Sequence, residues 1–224
     1  KVEATVPAGE SPTRLALQAD EQVLWVAGDA ASGKQGAVTA IDVATRQALA
    51  SIPIGKGHHE LQFSDDGRVL FLTNRESGTM SVIDVAERTL LREVPTGPVP
   101  IALTLSPLSK SLYVADGQTG EVTVHDPAAG TRLRTIVLKP GLGPLRFSPD
   151  GRWGIAVNPV ANEVFVIDAA TNAVAHRIPV DGKPFQIGMS SAFAYIRSLD
   201  SERVSMINLS TLGGSDKPAV NTFS

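Results

Sequence analysis

The chain contains no cysteine. That excludes disulfides, thiolate metal sites and a CxxCH haem attachment within these residues. No apolar run approaches the ~20 residues that a membrane-spanning helix requires. Like charges are never blocked together, and 20 Lys+Arg against 23 Asp+Glu leave a formal charge of −3. Such a balance offers no electrostatic grip for nucleic acid or an anionic lipid surface, so neither is an expected partner. No stretch sustains a 3.6-residue apolar period, and helix content is expected to be low. Neither Gly-x-Ser-x-Gly nor His-Glu-x-x-His occurs, so no motif names a catalytic nucleophile or a zinc hydrolase. The sequence opens at Lys1 without an apolar leader, so any leader is expected to have been removed or never present.

What the chain does have is turn chemistry and a period. Glycine numbers 20 and proline 15 in 224 residues. The dipeptide Ile-Asp recurs as Ile41-Asp42, Ile83-Asp84, His125-Asp126 and Ile167-Asp168, each 42 residues after the last, and Ile207-Asn208 follows after 40. Upstream of each lies a hydrophobic segment: VLWVAG, VLFLTN, SLYVAD, WGIAVN and FAYIRS. Three of these follow a turn, at 64–67, 106–109 and 148–151. Each unit therefore reads as four short strands with turns between them. Repetition of such a unit every ~42 residues predicts an all-β fold, a β-propeller with one four-stranded antiparallel blade per repeat. A β-sandwich would not explain the equal spacings.

The expected blades run 13–54, 59–96, 101–138, 144–180 and 185–209. Residues 2–6 resemble the end of a repeat and are expected to form an outer strand. The fifth repeat stops after its third strand, and 213–224 reads as a polar tail or a link to further blades. The five blades are then expected to be a segment of a larger ring. In the alternative, residues 2–6 complete the fifth blade and close a five-bladed ring.

The segments FLTN, YVAD and IAVN, together with SPDGR and VFVID, resemble the YVTN-repeat β-propellers, themselves WD40-like in repeat length. The resemblance spans nearly the whole chain. It implies a ring of seven or eight blades and a periplasmic or extracellular bacterial protein, similar to surface-layer and periplasmic propellers and to the propeller domain of d-type haem nitrite reductases. A binding scaffold without catalysis of its own is the expected function. The alternative is a redox-associated propeller that holds a haem-type or metal cofactor.

Candidate residues are weighed against this frame. Asp42, Asp84, Asp126 and Asp168 recur before a tight turn, where a carboxylate accepts the turn's own N–H groups; they are read as structural. Asn74, Asp116 and Asn158 share one position after the second strand and are read as turn residues tolerant of left-handed backbone. The stretch 28–35, GDAASGKQ, has phosphate-loop spacing, but Gln35 and a strand follow where Ser or Thr and a helix are needed. Asn208-Leu209-Ser210 is a sequon and nothing else points to glycosylation.

One irregularity remains. Alignment of Phe63 with Leu17 and Leu105 puts His58 opposite Pro12 and Pro100, so His58-His59-Glu60 stands where other blades enter their first strand through proline. First strands line the central channel of a propeller, and their entries lie at its rim. His58, His59 and Glu60 are therefore rim candidates, with Arg14, Arg146 and Gln186 at the corresponding entries of other blades. The arginines suit an anion or a carboxylate-bearing cofactor. His58 and His59 are candidate metal ligands, although neighbours on an extended strand point to opposite faces. His125 and His176 are expected to lie away from the rim. The expected partner is a small molecule or protein at the channel face.

Overall fold

A computed structural model describes residues 2, 4–29, 34–214 and 218–223. The chain divides into two compact units, 1–103 and 104–224. Five four-stranded sheets are formed, every described pairing is antiparallel, and strand order within each sheet follows the chain. The described residues contain no α-helix, only one 3₁₀ turn at Leu209–Thr211. The all-β, blade-per-repeat expectation holds.

The first sheet comprises β1 (Pro12–Leu17), β2 (Val23–Gly28), β3 (Ala37–Asp42) and β4 (Ala48–Pro53). The second has β5 (Leu61–Phe63), β6 (Val69–Asn74), β7 (Thr79–Asp84) and β8 (Thr89–Pro95). The third has β9 (Pro100–Leu105), β10 (Leu112–Asp116), β11 (Glu121–His125) and β12 (Arg132–Val137). The fourth has β13 (Leu145–Phe147), β14 (Trp153–Asn158), β15 (Glu163–Asp168) and β16 (Ala173–Pro179). The fifth has β17 (Pro184–Met189), β18 (Phe193–Ser198), β19 (Val204–Asn208) and β20 (Val220–Phe223).

Strand β20 corrects the expected domain boundaries. The fifth sheet takes its outer strand from within the presumed tail, pairing Ile207 with Val220 and Val204 with Phe223. Residues 4–9, part of which was expected to form an outer strand, carry no strand.

The hydrophobic segments of the repeat become the middle strands because both of their faces are covered. Strand β14 is buried at all six positions and β10 at all five. Outer strands β4, β8, β12 and β16 are largely exposed. In the first unit Trp25, Ile54, Leu70, Leu72 and Ile83 pack into one core. In the second, Trp153, Ile155, Val164, Ile196 and Leu212 do so. Each fully buried side chain of this size contributes about 1.5–3 kcal/mol.

The recurring aspartates close the turn between third and fourth strands. Asp42 Oδ1 accepts from Thr45 N, Asp84 from Glu87 N, Asp126 from Ala128 N and Ala129 N, and Asp168 from Ala170 N, all at 2.7–2.8 Å. The left-handed residue of each turn sits four positions after the aspartate, at Arg46, Arg88, Gly130 and Asn172. Asn74, Asp116 and Asn158 take the expected turn role, though not with left-handed backbone of their own. They end their strands in ordinary backbone, and the left-handed position falls four residues later, at Gly78, Gly120 and Asn162. Asp116 and Asn158 act through their side chains, accepting from the turn N–H groups that follow.

Candidate functional site

Two groups of first-strand residues stand out, one in each unit. In the first unit β5 has only three residues, and its entry, 58–60, precedes the assigned strand. The segment 58–60 is fastened to the end of β6. Thr73 N donates to Glu60 O at 3.1 Å, Arg75 N to His58 O at 3.3 Å, and Glu60 N to Thr73 Oγ1 at 2.8 Å.

This fastening sends the three side chains in two directions. His58 and Glu60 face one side, with His58 Nε2 3.9 Å from Glu60 Oε1. Arg14 on β1 reaches the same carboxylate: Nε donates to Oε1 at 2.8 Å, and Nη2 makes a second, closer contact. Arg14 and His58 are exposed enough to meet an incoming molecule, at 50% and 41% of their side-chain surface. His59 points the other way and is completely buried. The pair therefore shares no ligand.

His59 Nδ1 lies 2.7 Å from the Thr73 carbonyl oxygen. A carbonyl only accepts, so Nδ1 carries the proton and Nε2 presents its lone pair. That lone pair faces Asp29 Oδ1 at 3.5 Å. Both atoms are buried, and neither has a hydrogen-bond partner. Burial pushes the His59 imidazole below its ordinary pKa, and the Thr73 carbonyl and the Asp29 carboxylate pull part of the way back. Asp29 also lines a cleft of about 240 Å³ with Gly9, Glu10, Gly28, Lys34, Gln35 and Ala37. Residues 30–33 of the phosphate-loop-like stretch lie outside the described residues.

In the second unit, strands β9, β13 and β17 contribute Thr104, Leu105, Arg146, Phe147, Ile187 and Met189 to a cleft of about 350 Å³. Arg146 is exposed there and has no hydrogen bond or ion pair among the described residues. Gln186 is exposed on β17 and stands outside the lining. The six candidates thus fall into two sets, Arg14 with His58 and Glu60, and Arg146 in its cleft, with His59 and Gln186 apart from both.

The other histidines sit where the repeat placed them, at the end of β11 and on β16. His125 is buried with both nitrogens occupied, and His176 Nε2 lies 2.8 Å from the Leu212 carbonyl. Among the described residues no three His, Asp or Glu side chains are grouped to share a metal ion.

Asp29 was not among the residues singled out from sequence. Its signal was present: Gly28 occupies the position filled by Asn74, Asp116 and Asn158 in other copies, and a carboxylate follows one residue later.

A model of the YNCE-like beta-propeller family matches residues 62–213, and the chain belongs to that family. The YVTN-type resemblance agrees with this assignment. Among solved structures, the chain is similar to Kuenenia stuttgartiensis hydrazine synthase, with TM-score 0.69 and 18% identity over 97% of this chain and 83% of that one. It is also similar to a functionally unknown protein from Desulfotomaculum acetoxidans DSM 771, with TM-score 0.79 and 13% identity over 98% and 71%. At these identities the likeness is one of fold. No curated protein matches the chain.

Proposed function

We propose that this chain is an extracytoplasmic propeller that binds a small organic acid, or an acidic group on a protein partner, without catalysing a reaction. Support comes chiefly from the cleft in the second unit. Three first strands furnish an apolar floor, Leu105, Phe147, Ile187 and Met189, beside an Arg146 guanidinium with no partner among the described residues. Burial of an apolar body on such a floor supplies affinity, and a two-pronged guanidinium fixes a carboxylate in place. The exposed Arg14, His58 and Glu60 in the first unit offer a second polar contact surface. An extracytoplasmic setting accords with the lack of cysteine and the likeness to periplasmic propellers.

The test is a calorimetric and thermal-shift titration with alkyl and aryl carboxylates. One class should bind wild-type protein and raise its Tm, and Arg146→Gln should weaken that binding about tenfold or more. Carboxylate binding indifferent to Arg146→Gln would remove this site from consideration. A Soret band in protein purified from a haem-replete host would favour the haem-type alternative instead.

A further inference from the structure

We infer that Asp29 and His59 hold a borderline divalent transition-metal ion, of which Zn²⁺ is the type, on the inner wall of the cleft in the first unit. Neither the carboxylate site of the second unit nor the family assignment bears on this.

The inference starts from the tautomer. The Nδ1–H of His59 donates to the Thr73 carbonyl oxygen at 2.7 Å, which leaves the Nε2 lone pair on the side of Asp29. A histidine whose far nitrogen donates to a backbone carbonyl is oriented as metal-binding histidines are. Asp29 Oδ1 and His59 Nε2 are both acceptors, both buried, and neither finds a donor. The Asn74 carboxamide oxygen is also buried without a hydrogen bond of ordinary geometry, and the Asn74 side chain lies close enough to the same ring to favour its protonated form.

The separation of 3.5 Å then discriminates between ways of joining the two atoms. A proton on Nε2 would form a charge-assisted bond, which closes to about 2.7–2.9 Å. A water donating to both atoms at ~2.8 Å would have to bend its two bonds to an angle of only about 77°. A metal at ~2.0–2.2 Å from each ligand subtends about 105–122°, a range that includes the tetrahedral value. Of the three, the metal fits the distance best.

The surroundings agree. Gly36 closes the side next to the imidazole: a Cβ there would stand 2.6 Å from Nε2 and 3.0 Å from the Gly28 and Gly55 carbonyl oxygens. Asp29 is 29% exposed and borders the 240 Å³ cleft, which gives an ion a way in and leaves further coordination positions towards solvent. Glu10 and Lys34 border the same cleft with opposite charges. One imidazole and one carboxylate, in a chain without thiolates, select the zinc–cobalt–nickel group over Ca²⁺ or Mg²⁺.

The test uses the 224-residue chain after chelator treatment, titrated calorimetrically with ZnCl₂ and followed by Co²⁺ absorption. One equivalent should bind and raise Tm. Asp29→Asn, which keeps shape and removes charge, should weaken Zn²⁺ binding about tenfold or more. His59→Asn, which keeps a donor for Thr73, should abolish it, and His58→Asn should leave it unchanged. If His59→Asn fails to fold, Asp29→Asn decides alone, because its side chain reaches solvent. Absence of saturable Zn²⁺ uptake overturns the inference. So does affinity that survives Asp29→Asn or is lost with His58→Asn.

Discussion

His59 and His125 are the two completely buried histidines, and they differ at a single atom. Both present Nδ1 to a backbone carbonyl, Thr73 at 2.7 Å and Gly130 at 3.3 Å. Burial pushes both below the ordinary histidine pKa. At His125 the second nitrogen lies 3.0 Å from Thr123 Oγ1, a hydroxyl able to give or to take a hydrogen bond there. At His59 the second nitrogen meets a carboxylate that has nothing to donate. Burial and a lowered pKa therefore do not separate a structural histidine from a candidate ligand; an unanswered lone pair does. His125 fills a slot that holds isoleucine in the four other repeats, Ile41, Ile83, Ile167 and Ile207, and is satisfied there within its own sheet. His59 belongs to a blade entry, and what it faces comes from the neighbouring repeat.

The largest effect expected from this contrast is on stability. His125→Ala removes a fully packed ring and leaves the Gly130 carbonyl and Thr123 hydroxyl without that partner, at a cost of about 3 kcal/mol. His59→Ala, measured in chelator, should cost less, about 1–2 kcal/mol, because its Nε2 is already buried without a partner and deleting it relieves that penalty. Urea midpoints at equal m-value check this. Equal losses at the two positions would mean that His59 Nε2 is satisfied in the native protein.

The period of 42 and its strand–turn order were legible because each blade is built from contacts local in sequence. The aspartate turns were legible for the same reason, since Asp42 and its partner Thr45 are near neighbours. Strand β20 was not. The stretch Gly213-Gly214-Ser215-Asp216-Lys217-Pro218 breaks the spacing that precedes it, and Val220–Phe223 is short and mostly exposed, so no hydrophobic alternation marks it. The turn after Asn74 was legible from residue type, but not which residue takes the left-handed conformation: Gly78 does, and Asn74 bonds Thr79 and Ser81. At the candidate site, His58, Glu60 and Arg14 were legible as breaks in an alignment. The Asp29–His59 pairing was not, because it depends on how successive sheets stack rather than on spacing within a repeat.

A second expected effect is the response to acid, with the sign set by burial. His125 is held neutral in the folded chain first by burial and further by the nearby Arg132, against an opposing pull from the Gly130 carbonyl. Its folded pKa is below the unfolded value of about 6.5. The unfolded chain thus binds the extra proton first, and stability is complete above ~6.5 and lost as pH falls towards the folded pKa. Each tenfold difference in proton affinity carries about 1.4 kcal/mol. His125→Ile should match the repeat, tolerate burial as Ile83 and Ile167 do, and lose less stability than wild type between pH 7.5 and 5. His59 is present in both proteins, so its own titration cancels from the difference. Parallel pH–stability curves would show that His125 is not held neutral by the fold.

The smallest effect belongs to the exposed side of the same blade entry. Arg14 and Glu60 form a two-pronged ion pair, yet half of the Arg14 side chain is in water. Solvent screening holds such a pair to about 0.2–1 kcal/mol. Arg14→Ala should lower stability by no more than this, and the loss should shrink further in 1 M salt, where the Debye length is about 3 Å. Glu60→Gln should behave alike, and the double variant should be no worse than either single one if the pair acts as a unit. His58 stands close enough to Glu60 to take over part of the contact, which lowers the expected cost of Arg14→Ala. A salt-independent loss well above 1 kcal/mol would show that Arg14 is a packing element of β1, and that this face of the entry is fixed rather than open to a partner.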